Sequence, residues 1–145
     1  MKFTAALVAL VSASGAVAAP AAADSVSMMA ASPMWTIQSL SRSCDKADTT
    51  CTWKFGINTG SGAATACTYV VKAKSASKAN GGPAKCGTFT ITSGWSGQFG
   101  PNNGFTTLSV VSNKKQIIYP SYTDKQVAGG KVVKPDQKYA PAALP

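Results

Sequence analysis

The sequence predicts an all-β protein: a single-domain antiparallel β-barrel or β-sandwich with two disulfides. Three observations carry that expectation. Apolar and polar residues alternate at period two wherever a pattern is legible, no helical stripe of useful length occurs, and the chain holds four cysteines. About eight to ten short strands at close spacing, divided by glycine- and proline-rich turns, suit a sandwich or a barrel.

The chain opens on a targeting segment. Lys2 gives a positive start, Phe3 to Val11 is almost wholly apolar, and small residues follow to Ala16-Val17-Ala18. This pattern predicts a signal peptide over 1–18, cut after Ala18. The run is shorter than the ~20 apolar residues of a spanning helix. Residues 19–33, rich in alanine, serine and methionine, read as a flexible lead-in. The β domain is expected over 34–145, secreted and extracellular.

Within that domain, Trp35-Thr36-Ile37 and Leu40 form one run and Cys51, Trp53, Phe55 and Ile57 alternate with polar neighbours in another. The polar stretch Asp45 to Thr50 between them predicts a hairpin loop. If Cys44 faces Cys51, antiparallel counting sets Arg42 opposite Trp53 and Leu40 opposite Phe55, with Trp35 and Ile37 on the other face. Either both faces are buried there, or a β-bulge between Ile37 and Leu40 restores the register. Cys67 to Ala73 alternates again, and Lys74 to Lys85 reads as a long polar connection carrying Asn80-Gly81-Gly82-Pro83. Thr88 to Thr92 is a further strand, ended by Ser93-Gly94. Phe105 to Ser112 follows Asn103-Gly104, a hairpin signal. A strand from Lys114 through Tyr119 stops at Pro120, Ala128 to Lys131 marks a turn, and Pro135 and Pro141 leave an extended tail.

An even cysteine count in a secreted chain predicts disulfides. Of three possible connectivities, Cys44 with Cys51 and Cys67 with Cys86 is favoured because each pair brackets one loop between strand-like runs. Loop-closure entropy assigns these about 2.5 and 3.3 kcal/mol. A zinc site is disfavoured because no C-x-x-C spacing occurs and the chain lacks histidine; no metal and no cofactor are expected.

Fourteen Lys+Arg stand against five Asp+Glu, a net charge of +9, and Arg42 is the single arginine. Lysine is a hydrated point charge, whereas base and phosphate readers favour arginine, so nucleic acid is not an expected partner. The balance suits anionic surfaces: acidic cell-wall polysaccharide or a membrane face. Missing histidine removes Ser-His-Asp and Cys-His catalysis, and glutamate is absent too. Asp45 and Asp48 read as turn acids, and Asp124 and Asp136 as solvated turn acids. No catalytic residue and no enzyme are expected.

Two regions are candidate binding surfaces. One is the basic connection with Lys72, Lys74, Lys78 and Lys85, whose alternative reading is a solvated, aggregation-resistant edge. The other is the aromatic loop of Trp95, Phe99, Asn102, Asn103 and Phe105, whose alternative is a hairpin with aromatics filling the core.

Several blocks in order carry a resemblance: Met34-Trp35-Thr36-Ile37, Cys51 to Ile57, Cys67-Thr68-Tyr69, Lys85-Cys86-Gly87, and Trp95 to Phe105. Together they resemble fungal hypersensitive-response-inducing secreted elicitors, more distantly similar to the major Alternaria allergen family. The resemblance implies a β-barrel-like fold with local disulfides. It further implies recognition by a plant cell-surface receptor or apoplastic defence protein, with cell death and defence as the response. Allergen-family members form covalent dimers through an additional cysteine, and this chain has none to spare, so no covalent dimer is expected.

Overall fold

The computed structural model describes residues 33 to 145. The predicted signal peptide, and the predicted lead-in apart from Pro33, lie outside the described residues.

Ten strands form among them: β1 (Trp35–Cys44), β2 (Thr50–Asn58), β3 (Thr65–Lys72), β4 (Gly81–Cys86), β5 (Phe89–Ser96), β6 (Phe105–Ser112), β7 (Gln116–Ile118), β8 (Ser121–Thr123), β9 (Gln137–Tyr139) and β10 (Ala142–Ala143). They pair antiparallel into two sheets, a four-stranded one in the order β3-β2-β1-β9 and a six-stranded one in the order β10-β7-β6-β5-β4, with β8 also on β6. Of the two expected architectures the structure is the sandwich-like one, because the hydrogen-bonded ladder does not close.

The period-two pattern explains the core. Trp53, Phe55 and Ile57 of β2, Cys67, Tyr69 and Val71 of β3, and Leu108 and Val110 of β6 all turn inward and are buried. Trp35 packs edge-to-face on Phe89 of the opposite sheet, ring centroids 5.7 Å apart. In β1 the bulge is the alternative realised. Arg42 faces Trp53 as counted, but the register shifts between Gln38 and Ser41, leaving Ser39 and Leu40 against Phe55 alone. Ser39 takes a positive φ of 48°, and its N–H donates to Asp136 Oδ1 at 2.9 Å. Trp35, Ile37, Leu40 and Arg42 thereby all point inward and are buried.

Two seams interrupt the ladder. At one, Cys67 of β3 is bonded to Cys86 of β4, and the Tyr69 hydroxyl hydrogen-bonds Ser93 of β5 at 2.7 Å. At the other, the chain itself steps across, since β9 pairs with β1 and β10, beginning after Pro141, pairs with β7. Cys44 and Cys51 form the second disulfide, directly opposite one another in the β1/β2 hairpin.

Three expectations need correction. Lys74 to Lys85 is not one free connection, because Gly81–Cys86 forms β4. Pro83 is tolerated there because β4 is an edge strand and its pairing with β5 is irregular between Gly81 and Ala84. Ser93-Gly94 does not end the fifth strand, which runs on to Ser96 against β6. The tail pairs at both sheet edges instead of only extending. The Asn103-Gly104 signal lies at the end of a longer connection, 97–104, between β5 and β6.

Candidate functional site

The predicted basic surface divides in two. Lys72, Lys74, Lys78 and Lys85 are all exposed, but they do not share one loop. Lys85 lies on β4 beside Cys86, opposite Thr90. Lys72 ends β3 opposite Thr50, about 17 Å along the strand from Cys67. The chain after Lys72 folds back onto the first hairpin: the Ala73 N–H donates to Thr49 O at 3.1 Å, and the Ala76 N–H to Asp48 O at 2.8 Å. Asp48 also takes the Ser77 N–H at 2.9 Å and the Ser77 hydroxyl at 2.7 Å. A short 3-10 turn, Ala76–Lys78, results, with Ala76 buried beneath it. It delivers Lys78 to the aromatic loop, where its ammonium sits 5.8 Å from the Trp95 ring centroid.

The aromatic loop does not fill the core. Phe99 is 65% exposed and stacks on Phe105, ring centroids 5.9 Å apart. Asn103 holds the turn by donating from Nδ2 to Phe99 O at 3.1 Å, while Asn102 adopts a positive φ of 68° that asparagine tolerates. Trp95 lies against Gly97 and Gly104: a Cβ on either would meet its ring at 2.6 Å. The indole N–H donates to Asp124 Oδ2 at 2.9 Å.

Asp124 is therefore no solvated turn acid. Its other oxygen, Oδ1, accepts from Arg42 Nη1 at 3.2 Å, and the same Nη1 donates to Ser77 O at 3.3 Å. Arg42 is only 8% exposed, with its guanidinium 5.6 Å from the Trp53 ring centroid and its Nε buried without a partner. In the sequence Arg42 stands out as the lone arginine and falls opposite Trp53, but neither it nor Asp124 is marked as a site residue. The partners stand 82 and 29 residues from Asp124 along the chain, so no local spacing announces the network.

Two cavities adjoin across this pair. Arg42, Asp48, Ser77 and Gly129 help line the first, about 520 Å³ in volume. Lys78, Trp95, Asn102 and Asp124 help line the second, about 290 Å³. The assembled end of the molecule is polar, with Trp95 as its one aromatic wall.

A family model described as Effector TSP1 matches residues 36–144, from the second residue of β1 past the end of β10, and so includes both disulfides. A protein of Hypocrea virens (strain Gv29-8 / FGSC 10586) named Effector TSP1 is 60% identical over 148 aligned residues, covering 100% of each chain. The chain belongs to the Effector TSP1 family. It is thus a member of a fungal effector family, which agrees with the coarser part of the resemblance seen in the sequence.

Within this member, the acids of the first hairpin act as expected of turn formers. Asp45 accepts from the Thr49 hydroxyl at 2.6 Å, the Thr49 N–H at 2.7 Å and the Thr50 N–H at 3.1 Å. Those bonds, the Thr49 hydroxyl first, hold its carboxyl below the usual range. Cys44, Asp48 and Cys51 come together closely enough to suggest metal ligands. Their sulfurs are tied in a disulfide and both Asp48 oxygens accept from Ser77, so the donor set does not fit a metal.

Proposed function

We propose that the mature domain is a secreted effector whose folded surface is recognised in the plant apoplast, by a cell-surface receptor or a defence protein, with a hypersensitive response and defence as the outcome. Full-length similarity to Effector TSP1 carries this reading. Two disulfides suit an oxidising compartment, and the lack of histidine and glutamate leaves few groups for acid–base catalysis, so binding is the favoured mode of action. The exposed Phe99 and its partner Phe105, on a loop of a rigid scaffold, offer the contact a partner protein would use.

Infiltration of leaves with pure mature protein tests it. Cell death and defence should follow with the folded protein and be lost with a version lacking both cysteine pairs. A protease-treated or unfolded sample with the full effect would overturn recognition of the folded surface.

A second reading, a cationic wall protein binding acidic polysaccharide, is favoured by the net charge of +9 and by the exposed Lys72, Lys74, Lys78 and Lys85. Retention on polygalacturonate that moderate salt abolishes is its signature.

A further inference from the structure

The outward side of the six-stranded sheet has a chemistry of its own. Along β6, Thr106, Leu108 and Val110 turn to the core and are buried, so Thr107 and Ser109 turn out. Pairing then fixes two rows across the sheet. Thr92 stands opposite Ser109, and Gly94 opposite Thr107, which on its other side faces Ser121 of β8. Tyr119, in the step between β7 and β8, is 60% exposed beside the first row. Gly94 contributes no side chain, and a shallow groove of about 180 Å³ opens there, with Thr92, Thr107, Ser109 and Tyr119 among its walls.

Charge and hydrogen-bonding capacity together select an occupant. In a chain of net charge +9, neither row holds a charged side chain among the described residues, so the groove suits an uncharged ligand. The centres of protein interfaces are poor in serine and threonine, whereas Thr92, Thr107, Ser109 and Ser121 all present hydroxyls on this face. The Thr92 and Ser109 hydroxyls bond each other, as do those of Thr107 and Ser121 at 2.9 Å. The first pair shares one proton between two oxygens and keeps another proton and lone pairs to offer. In the second, Ser121 Oγ also donates to Thr106 O at 3.5 Å, which leaves that pair as acceptors. Such a mixture of donors and acceptors matches the hydroxyls of a sugar, which also do both. Beside them the Tyr119 ring adds an apolar plane with a polar tip, on which the C–H face of a pyranose can lie flat. The volume falls below the ~300–1,000 Å³ of sites that enclose a small molecule. A fitting ligand therefore rests one side on the sheet and runs on past the groove, as a polymer does. An N-acetyl substituent would need room and an amide partner that these side chains do not supply.

We propose that this face binds an unsubstituted, uncharged β-linked glucan, with one sugar stacked on Tyr119 and its hydroxyls shared with Thr92, Thr107 and Ser109. The proposal is independent of both readings above, since it uses neither the Phe99 contact nor the lysines.

The probe is cellohexaose titrated into the mature protein, read by calorimetry and by the NMR amide resonances of Gly94 and Thr107. Saturable binding that shifts those resonances and holds from low to moderate salt is expected, because no charge is there to be screened. Tyr119→Ala, at an exposed position, should weaken binding at least about tenfold, and Tyr119→Phe, which keeps the ring, less than about threefold. Gly94→Val, whose Cβ would meet only Asn80 Oδ1 at an ordinary 3.6 Å, fills the groove and should abolish binding. Val70→Ala trims an exposed apolar side chain on β3 of the other sheet and should leave affinity unchanged. No saturable binding, or an equal loss from Val70→Ala, would overturn the site. Equal affinity for N-acetylated chitohexaose would overturn the assignment to an unsubstituted glucan, and displacement by oligogalacturonate the choice of an uncharged ligand. A dimer that forms without sugar and that Tyr119→Ala dissolves would make a second copy of the chain the occupant and overturn the proposal.

Discussion

The two disulfides differ in what surrounds them. Cys44–Cys51 spans 7 positions in sequence and staples two residues already opposite one another in the β1/β2 ladder. Cys67–Cys86 spans 19 and joins strands of different sheets, β3 and β4, between which no ladder runs. The first reinforces a hairpin; the second stands in for missing backbone hydrogen bonds. The difference teaches where this sandwich is vulnerable: the seam between β3 and β4 has no backbone ladder and rests on side-chain contacts.

The largest effect expected follows directly. Replacing Cys67 and Cys86 by alanine should cost about 3.3 kcal/mol, against about 2.5 kcal/mol for Cys44 and Cys51, measured as a fall in the urea midpoint. The seam variant should also change the slope of the transition, since its denatured or native state is less compact. Equal losses with unchanged slope would break the distinction. Next comes Gly81→Ala. Gly81 lies where a Cβ would meet the Tyr69 hydroxyl at 2.6 Å and Val71 Cγ2 at 2.7 Å, both on buried side chains of β3. Its φ is not in the left-handed region, so the penalty is steric alone, and wedging the seam should cost about 2 kcal/mol. A neutral Gly81→Ala would mean that the seam is looser than this packing implies.

Much of this contrast was legible in sequence, and the remainder was hidden for physical reasons. The polar loop between Cys44 and Cys51 fixed the hairpin register and set Arg42 against Trp53, because period two leaves few choices. The Cys67–Cys86 pairing was legible as a loop clamp, but its role across two sheets was not. Gly81-Gly82-Pro83 reads as a chain breaker and becomes β4 only because β5 supplies the partner strand. The tail strands β9 and β10, of three and two residues, have no pattern of their own and exist because the edges of β1 and β7 were vacant. The conflict between Trp35, Ile37 and Leu40 left two alternatives, of which the bulge is the one realised, and nothing in the pattern announced its tie to Asp136. The candidate site was legible least. Lys78 and Trp95 were singled out for separate surfaces, and the contact joining them runs through a 3-10 turn that Asp48 organises.

A smaller effect sharpens the seam. Tyr69→Phe keeps the ring and removes the hydrogen bond to Ser93, so about 1 kcal/mol should be lost. Burial pushes the Tyr69 phenol above its ordinary 10.0, and it pushes that of Tyr122 up as well, with Tyr139 adding to the rise. The unfolded chain therefore loses these protons first. Stability is full below pH 10 and falls as pH rises through the folded values. Tyr69→Phe should flatten that alkaline fall in part, leaving the share due to Tyr122. An unaltered alkaline profile would show that Tyr69 does not carry its share.

The smallest effect belongs to the other disulfide. Asp45 has its carboxyl lowered from 3.8 by the Thr49 hydroxyl first and then by the Thr49 and Thr50 amides, so its contribution is present above 3.8 and lost as pH falls through the depressed value. Asp45 is at the surface, where solvent weakens such gains. The neighbouring Cys44–Cys51 bond and the Asp48–Ser77 contacts hold the hairpin regardless. Asp45→Asn should therefore abolish the acid-range titration of the Thr49 amide resonance while leaving the urea midpoint almost unmoved. If it lowered the midpoint as far as loss of Cys44 and Cys51 does, the loop acid rather than the disulfide would be the hairpin's staple. The contrast between a reinforced hairpin and a dependent seam would then fail at its stronger half.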